Sequence, residues 1–326
     1  MIRAWKIVRE NQPKRPLRCA AYVISDESRR AHKTLVQDTA VWTIIDVRTP
    51  STEEAPYAYE MACTHQLNAG FQIDMKNLSK LTAEDVDLLV LPPLNGVPQE
   101  QLDVVRRLHG QGVSLLAFED VATLEDVFGV KDTGVSTPVT KLAATAKFIE
   151  ECGDKLDALT EVCEQPECSG HYACADAEVL IDAEIPVLTR KRNGAATACF
   201  FNVPPQLVRE DQLTERFGLS KQSISELVNS ATAAVIAQMS EEPVAVSGGR
   251  LIAYESTKGN KVVVVYNPDD YNGISPEVTL ARKYFGGITA DDIQSDCPFE
   301  VVGDDAEELR LRVGIPKGDA AVMVIR

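Results

Sequence analysis

Asp85–Asp120 reads DVDLLVLPPLNGVPQEQLDVVRRLHGQGVSLLAFED. It predicts a parallel strand–helix–strand unit. Val86–Leu91 is apolar apart from Asp87, as a strand covered on both faces requires. Pro92-Pro93 stops it, because a proline ring donates nothing to a ladder. Asn95, Gly96 and Pro98 supply turn chemistry, and Pro98 suits the first turn of a helix. Leu102, Val105 and Leu108 keep helical spacing, and Gly110 or Gly112 is placed to end that helix in a left-handed conformation. Val113–Phe118 is the second buried strand. Open α/β sheets place their chemistry outside such strand ends. Here the outlet is Glu119-Asp120-Val121, with neither Cys nor Ser and no glycine elbow.

The chain has 326 residues, enough for two domains with real cores. Hydrophobic residues make up 44% and charged residues 25%, the mixture of an ordinary globular protein. No apolar run approaches the roughly 20 residues of a membrane-spanning helix. MIRAWKIVRENQPKRP (Met1–Pro16) lacks the apolar centre of a signal peptide, so a cytoplasmic location is expected. A net charge of −16 argues against nucleic acid or an anionic membrane as partner, since both reward positive surface. The eight cysteines are Cys19, Cys63, Cys152, Cys163, Cys168, Cys174, Cys199 and Cys297. Without a leader they read as reduced and mostly structural.

Arg18–Ser25 and Val41–Val47 read as strands, Tyr57–Asn68 as a helix closed by Gly70, and Phe71–Asp74 as a short strand. After the strand–helix–strand unit, Thr123–Phe128 predicts a short helix and Thr140–Cys152 a longer one. Asp176–Ile181, Pro186–Arg190 and Ala195–Asn202 predict strands, the last entered through the turn signal Asn193-Gly194. Strands alternating with helices imply a mostly parallel sheet with flanking helices. A helix is predicted over Lys221–Gln238, capped by Ser220. From Pro243 the pattern changes. Arg250–Ser256, Lys261–Tyr266, Glu277–Leu280, Glu308–Val313 and Ala320–Ile325 are short strands between turn clusters, which fits a small all-β sandwich. The expected organisation is a lead-in over 1–16, an α/β domain over 17–207, connecting helices over 208–240 and a β-sandwich over 241–326.

Several features could carry chemistry. Cys163, Cys168, His171 and Cys174 match a structural zinc set in kind, but their spacing departs from paired ligands across a longer loop, and Cys174 reads as the start of a strand. A loop of reduced thiols is the favoured reading, and neither a metal nor a cofactor is expected. QLTERFGLSKQSISELV (Gln212–Val228) has a helix-turn-helix pattern, yet its reading face offers Lys221, Gln222, Ser225 and Glu226, with too little positive charge for DNA. Glu119 and Asp120 lie at the expected cleft, where adjacent residues on a leaving strand make a poor acid/base pair, and Asp120 also suits a helix cap. Asn95, Gly96, Glu119 and Asp120 are the binding candidates; no catalytic residue is assigned. In the sandwich, Tyr254, Tyr266, Tyr271, Tyr284, Phe285 and Phe299 are read mostly as core, which leaves a weak signal for carbohydrate.

The order of segments then becomes more telling than any one motif. RPLRCAAYVISDESR (Arg15–Arg29) resembles the opening strand of the non-catalytic middle domain in bacterial beta-galactosidases of glycoside hydrolase family 42. HQLNAGFQIDMKNLSKLTAEDVDLLVLPPLNGVPQEQLDVVRRLHGQGVSLLAF (His65–Phe118) is similar to that domain's next portion, with Gly-Gln-Gly where the family has Gly-Gly. IPVLTRKRNGAATACFFN (Ile185–Asn202) resembles its closing strands, Leu227–Ile236 the helix that follows, and Val264–Pro268 a strand of the small terminal β domain. The resemblance covers most of residues 15–326. It implies a flavodoxin-like, amidotransferase-like parallel sheet without that fold's chemistry, a role in oligomerisation as a homo-oligomer (a trimer in the family), and a place in carbohydrate metabolism. True amidotransferases need a Cys at a glycine elbow and a late His-x-Glu, and neither is found at Phe118–Val121 or after His171. Ala4–Pro16 resembles the tail that leaves the catalytic barrel. The chain is thus expected to be a C-terminal piece of a glycosidase or a relative without the barrel, and no enzyme by itself. The alternative is a sugar-binding protein or hydrolase using the cleft at the strand ends; the distant alternative is DNA binding.

Overall fold

The computed structural model describes residues 2–17, 19–28, 71–153, 160–162, 168–203, 223–240, 243–267, 269 and 271–326. The expected strand Val41–Val47, the helix Tyr57–Asn68 and most of the helix-turn-helix pattern, residues 212–222, lie outside them.

The strands run, in chain order, β1 (Pro13–Pro16), β2 (Cys19–Ile24), β3 (Phe71–Asp74), β4 (Val86–Leu91), β5 (Ser114–Phe118), β6 (Val130–Val139), β7 (Lys141–Ala144), β8 (Thr160–Val162), β9 (Cys168–Cys174) and β10 (Glu178–Asp182). There follow β11 (Leu188–Asn193), β12 (Ala196–Phe201), β13 (Val244–Val246), β14 (Arg250–Ser256), β15 (Lys261–Tyr266), β16 (Glu277–Ala281), β17 (Ile293–Ser295), β18 (Phe299–Asp304), β19 (Glu308–Val313) and β20 (Ala320–Ile325).

The unbroken apolar runs of β4 and β5 become central strands because both of their faces are covered. Leu88, Val90, Leu116 and Phe118 face one core, while Leu89, Leu91, Leu115 and Ala117 face the other. On the second side lies the helix Gln99–Gly110, which buries Leu102, Val105 and Leu108. Each of these is worth about 1.5–3 kcal/mol of burial. The helix ends as its glycines allow, with Gly112 at φ +104°. The opposite core is closed by Ala231, Ala234, Val235 and Ile236 of the helix Ser223–Met239, and by Phe148 of Ala146–Cys152.

The sheet around β4 and β5 has nine strands in the order β3-β2-β4-β5-β12-β11-β10-β7-β8. Pairings from β3 to β12 are parallel, whereas those from β12 to β8 are antiparallel. The expectation of a mostly parallel sheet is therefore corrected to a mixed one. The cause is local: β11 and β12 are joined by two residues, with Gly194 at φ +65°, and so short a link permits only a hairpin.

Two further expectations change. Thr140–Cys152 is not one helix. Lys141–Ala144 is strand β7, set between β10 and β8, and Thr145 Oγ1 then caps Ala146–Cys152 by accepting from the Phe148 amide at 3.3 Å. The polar run Val130–Val139, which carries no alternating pattern, pairs with β9 as a separate ribbon. Cys174 accordingly ends a strand instead of starting one.

Beyond Pro243 two antiparallel sheets, β1-β14-β15-β20-β17 and β13-β16-β19-β18, share one core. All five predicted strands are present, and β1, β13, β17 and β18 are added to them. Leu309, Leu311 and Val313 alternate inward as their spacing predicts. Residues 2–16 are no free lead-in. The helix Ile2–Glu10 packs on β20, bringing Ala4, Ile7 and Val8 to Tyr254, Val262, Val322 and Val324. β1 extends the sheet beside β14, where Lys14 and Arg15 both bind Glu255.

Candidate functional site

β5 and β12 run in register to their ends, where Phe118 and Phe201 stack with centroids 5.3 Å apart and planes within 6°. The Glu119 amide still donates to Phe201 O at 2.8 Å, and then the chain reverses. The Asp120 amide donates to Phe118 O at 2.6 Å across Glu119, whose φ is +60°. An i to i+2 bond around a positive φ is a γ-turn of the rare, strained kind. Ala122 follows at φ +46°. An elbow is therefore present where the sequence shows no glycine to make one, and a carboxylate side chain occupies its apex.

Asp120 organises what surrounds this elbow. Its carbonyl accepts from the Leu94 amide at 3.0 Å, joining the loop after β4 to the end of β5. Its Oδ1 accepts from the Ala122 amide at 2.8 Å. Its Oδ2 accepts from the Tyr172 hydroxyl at 3.3 Å and lies 4.0 Å from His171 Nε2. Tyr172, on β9, is buried with its ring edge-on to Phe200. Asn202 holds this part of β9 in place. Its Oδ1 accepts from the amides of His171 and Tyr172, both at 3.1 Å, and its Nδ2 donates to the carbonyls of Tyr172 and Pro186 at 2.7 and 2.9 Å.

The electrostatics follow from burial. Withdrawal from water raises the Glu119 carboxyl to about 7, with the neighbouring Asp120 charge adding to the rise. Burial also raises Asp120, opposed by the Ala122 amide, His171 and Tyr172. The Tyr172 hydroxyl is pushed up by burial first and by Asp120 second. A carboxyl poised near neutrality beside a carboxylate–tyrosine–histidine chain can exchange a proton at ordinary pH.

Of the four predicted binding residues, Glu119 and Asp120 form the elbow, and the Leu94–Asp120 bond brings the Asn95-Gly96 turn beside them. In that turn the Val97 amide donates to Leu94 O at 3.2 Å, and Gly96 takes the positive φ, +74°, that the turn needs. Asn95 Oδ1 is buried without a hydrogen-bond partner. Tyr172 and Asn202 were not singled out by the sequence. Of the Cys/His set, His171 Nε2 lies 4.0 Å from Asp120 Oδ2 and Cys174 Sγ donates to Ala177 O at 3.0 Å, while Cys163 and the Cys168 side chain lie outside the described residues. Among the described residues no three His, Cys, Asp or Glu side chains form a metal set. No described helix is long and apolar enough to cross a membrane.

No protein-family model matches the chain, and no curated protein matches it by sequence. Solved structures do. A beta-galactosidase from Bacillus circulans sp. alkalophilus covers 95% of this chain with 42% of its own, at 14% identity and a TM-score of 0.54. A beta-galactosidase from Rahnella sp. R3 covers 95% with 41% of its own, at 13% identity and a TM-score of 0.51. The fold is that of part of a beta-galactosidase chain. The chain spans about two-fifths of the length of these structures. The resemblance to beta-galactosidases thus holds at the level of the fold, over nearly the whole chain.

Proposed function

We propose that this chain is a structural and assembly region related to glycoside hydrolases, acting in the cytoplasm as part of, or beside, a glycosidase in carbohydrate metabolism. The observation that carries the reading is the lopsided coverage: nearly all of this chain matches less than half of each beta-galactosidase. Its parallel strands, taken by their place in the described chain, run second-first-third-fourth-fifth, the order of flavodoxin-like sheets, to which class I amidotransferases also belong by resemblance. The elbow after β5 carries Glu119 where an amidotransferase needs a thiol, which favours a fold kept for packing. In this reading residues 17–207 form the amidotransferase-like α/β domain, 208–240 connect, and 241–326 with residues 2–16 form the sandwich.

Self-association is the testable core of the proposal. Sedimentation velocity on the full chain should show a homo-oligomer, with a trimer as the expected species. A single monomeric boundary at the highest soluble concentration would overturn it.

A further inference from the structure

His109 stands in the last turn of the helix Gln99–Gly110, where the fold leaves it only 6% exposed. Both of its ring nitrogens are engaged. Nδ1 lies 2.9 Å from Val113 O, just before β5, and Nε2 lies 2.9 Å from Nδ2 of Asn193, the last residue of β11. The same Asn193 nitrogen donates to Val127 O at 3.0 Å, in the helix Glu125–Phe128. One imidazole thus ties a helix end, the entry of β5, the β11–β12 turn and a second helix together.

Two backbone carbonyls fix the protonation state of this chain of contacts. Val113 O can only accept, so Nδ1 carries a hydrogen. Val127 O can only accept as well, so the Asn193 group beside it is the NH2, which gives its other hydrogen to Nε2. Nε2 is therefore bare, and the ring is neutral in its Nδ1–H tautomer. A protonated ring would set an N–H against the NH2. Turning the amide over would then satisfy His109 but place Asn193 Oδ1 against Val127 O with no hydrogen between them. No rotamer of Asn193 serves both partners once the ring is charged.

The charged side chains of the surrounding elements are directed elsewhere. On the helix itself, Arg106 binds Asp126 and Thr123 O, and Arg107 is exposed beside Gln111. On Glu125–Phe128, Glu125 accepts from the Asp132 amide and Asp126 holds Arg106. On β11, Lys191 binds Asp176 and Asp126 O, and Arg192 is exposed. β5 and β12 open with Ser114, Ala196 and Thr197, which carry no charge. Burial makes the ring harder to protonate, opposed only by the Val113 bond.

We propose that His109 is an acid-released latch: the neutral ring fastens the β11–β12 turn to the helix Gln99–Gly110, and protonation lets that turn go. It sits at the opposite end of β5 from the Glu119 elbow. It also stands apart from the assembly role proposed above, which sedimentation tests separately. In the unfolded chain the ring takes its proton near 6.5, in the fold only at lower pH. Below 6.5 the unfolded state therefore binds a proton that the folded state refuses, and stability falls with pH until the latch opens. Glu119 slopes the other way between 4.5 and about 7, so global unfolding mixes the two groups and a local readout is required.

The test is an imidazole 15N NMR titration of the full chain from pH 8 to pH 4.5, with hydrogen exchange at the same pH values. The His109 signal is identified by its loss in His109→Gln, or by elimination with His32→Gln, His65→Gln and His171→Gln. It should show the Nδ1–H tautomer at pH 8 and titrate below 6.5. Through that transition the amides of Asn193 and Ala196, paired across the turn, should lose about tenfold in protection, the factor that one net hydrogen bond is worth. Amides at the centre of β4 should keep theirs. Asn193→Asp sets a carboxylate against Nε2, so it should lift the His109 titration above 6.5 and keep the turn protected in acid. An Nε2–H tautomer at pH 8, a parent titration at or above 6.5, or a ring that stays neutral to pH 4.5 would overturn the proposal. Turn protection that ignores the His109 transition would overturn it as well.

Discussion

Glu119 combines two unfavourable conditions at one residue: a positive φ on a side chain with a Cβ, and a carboxyl withdrawn from water. The pH dependence follows from the second. In the unfolded chain the carboxyl ionises near 4.5, whereas in the fold it holds its proton to about 7. Between those values the unfolded state releases a proton that the folded state keeps, so stability falls as pH rises through this window and then levels. Glu119→Gln should remove that slope. The variant should match the parent below pH 4.5 and exceed it by about 3 kcal/mol above pH 7, measured by urea unfolding at pH 4 and pH 8. Equal stabilities at pH 8 would show that the carboxyl is not withdrawn from water. The sequence pointed to Glu119 and Asp120 through their place after a buried strand, but it could not show the strained turn. Positive φ is legible only when a glycine marks it, and here Glu119 and Ala122 take it without one. Tyr172 stayed hidden for a different reason: it reaches Asp120 from a ribbon whose polar sequence reads as a loop.

At the scale of elements, that ribbon depends on Asn202. One buried amide satisfies two N–H groups and two carbonyls, and Gly170 leaves room for it. A Cβ at Gly170 would lie 2.7 Å from Asn202 Cγ and 2.8 Å from its carbonyl. Asn202→Ala leaves these backbone groups without partners and should cost about 2–4 kcal/mol. Asn202→Asp keeps the acceptor but loses both donated bonds, so it should also destabilise, and more so when ionised. Hydrogen exchange should quicken at His171 and Tyr172 in Asn202→Ala, which removes their acceptor, while the amides of β4 and β5 keep their protection. Unchanged exchange at His171 would refute the anchoring role. The contrast with β4 and β5 explains what the sequence could reveal. Apolar runs with Pro, Gly and helical spacing between them specify their elements by composition. β6 and β7 are fixed by the partners they meet: β6 shows six consecutive exposed residues, and β7 is a short run of strand-averse Lys and Ala held between two neighbours.

At the scale of the molecule, the two ends of the chain build one unit. β1 pairs with β14, the Arg15–Glu255 bond spans 240 positions, and the α/β sheet is inserted between β1 and β13. The sequence reads residues 1–16 as a lead-in that ends in the Pro- and Arg/Lys-rich stretch Gln12–Pro16. In an edge strand, however, proline is tolerated, and it blunts further pairing. The helix Ile2–Glu10 covers an outer face that the sandwich strands leave apolar, at Tyr254, Val262, Val322 and Val324. Removing residues 2–16 therefore strips cover from four apolar side chains and exposes the edge of β14. Even discounted for unfolded-state burial, the loss is on the order of 5 kcal/mol, a large share of the stability of any one domain. The cost falls on the sandwich, since neither core of the nine-stranded sheet uses these residues. Calorimetry of the truncated chain should show the sandwich melting first, as a separate transition, with binding of a hydrophobic dye before the main sheet unfolds. A single transition at the parent temperature without dye binding would show that the N-terminal segment only lies on the surface. The predicted split would show that it closes the C-terminal unit from the far end of the chain.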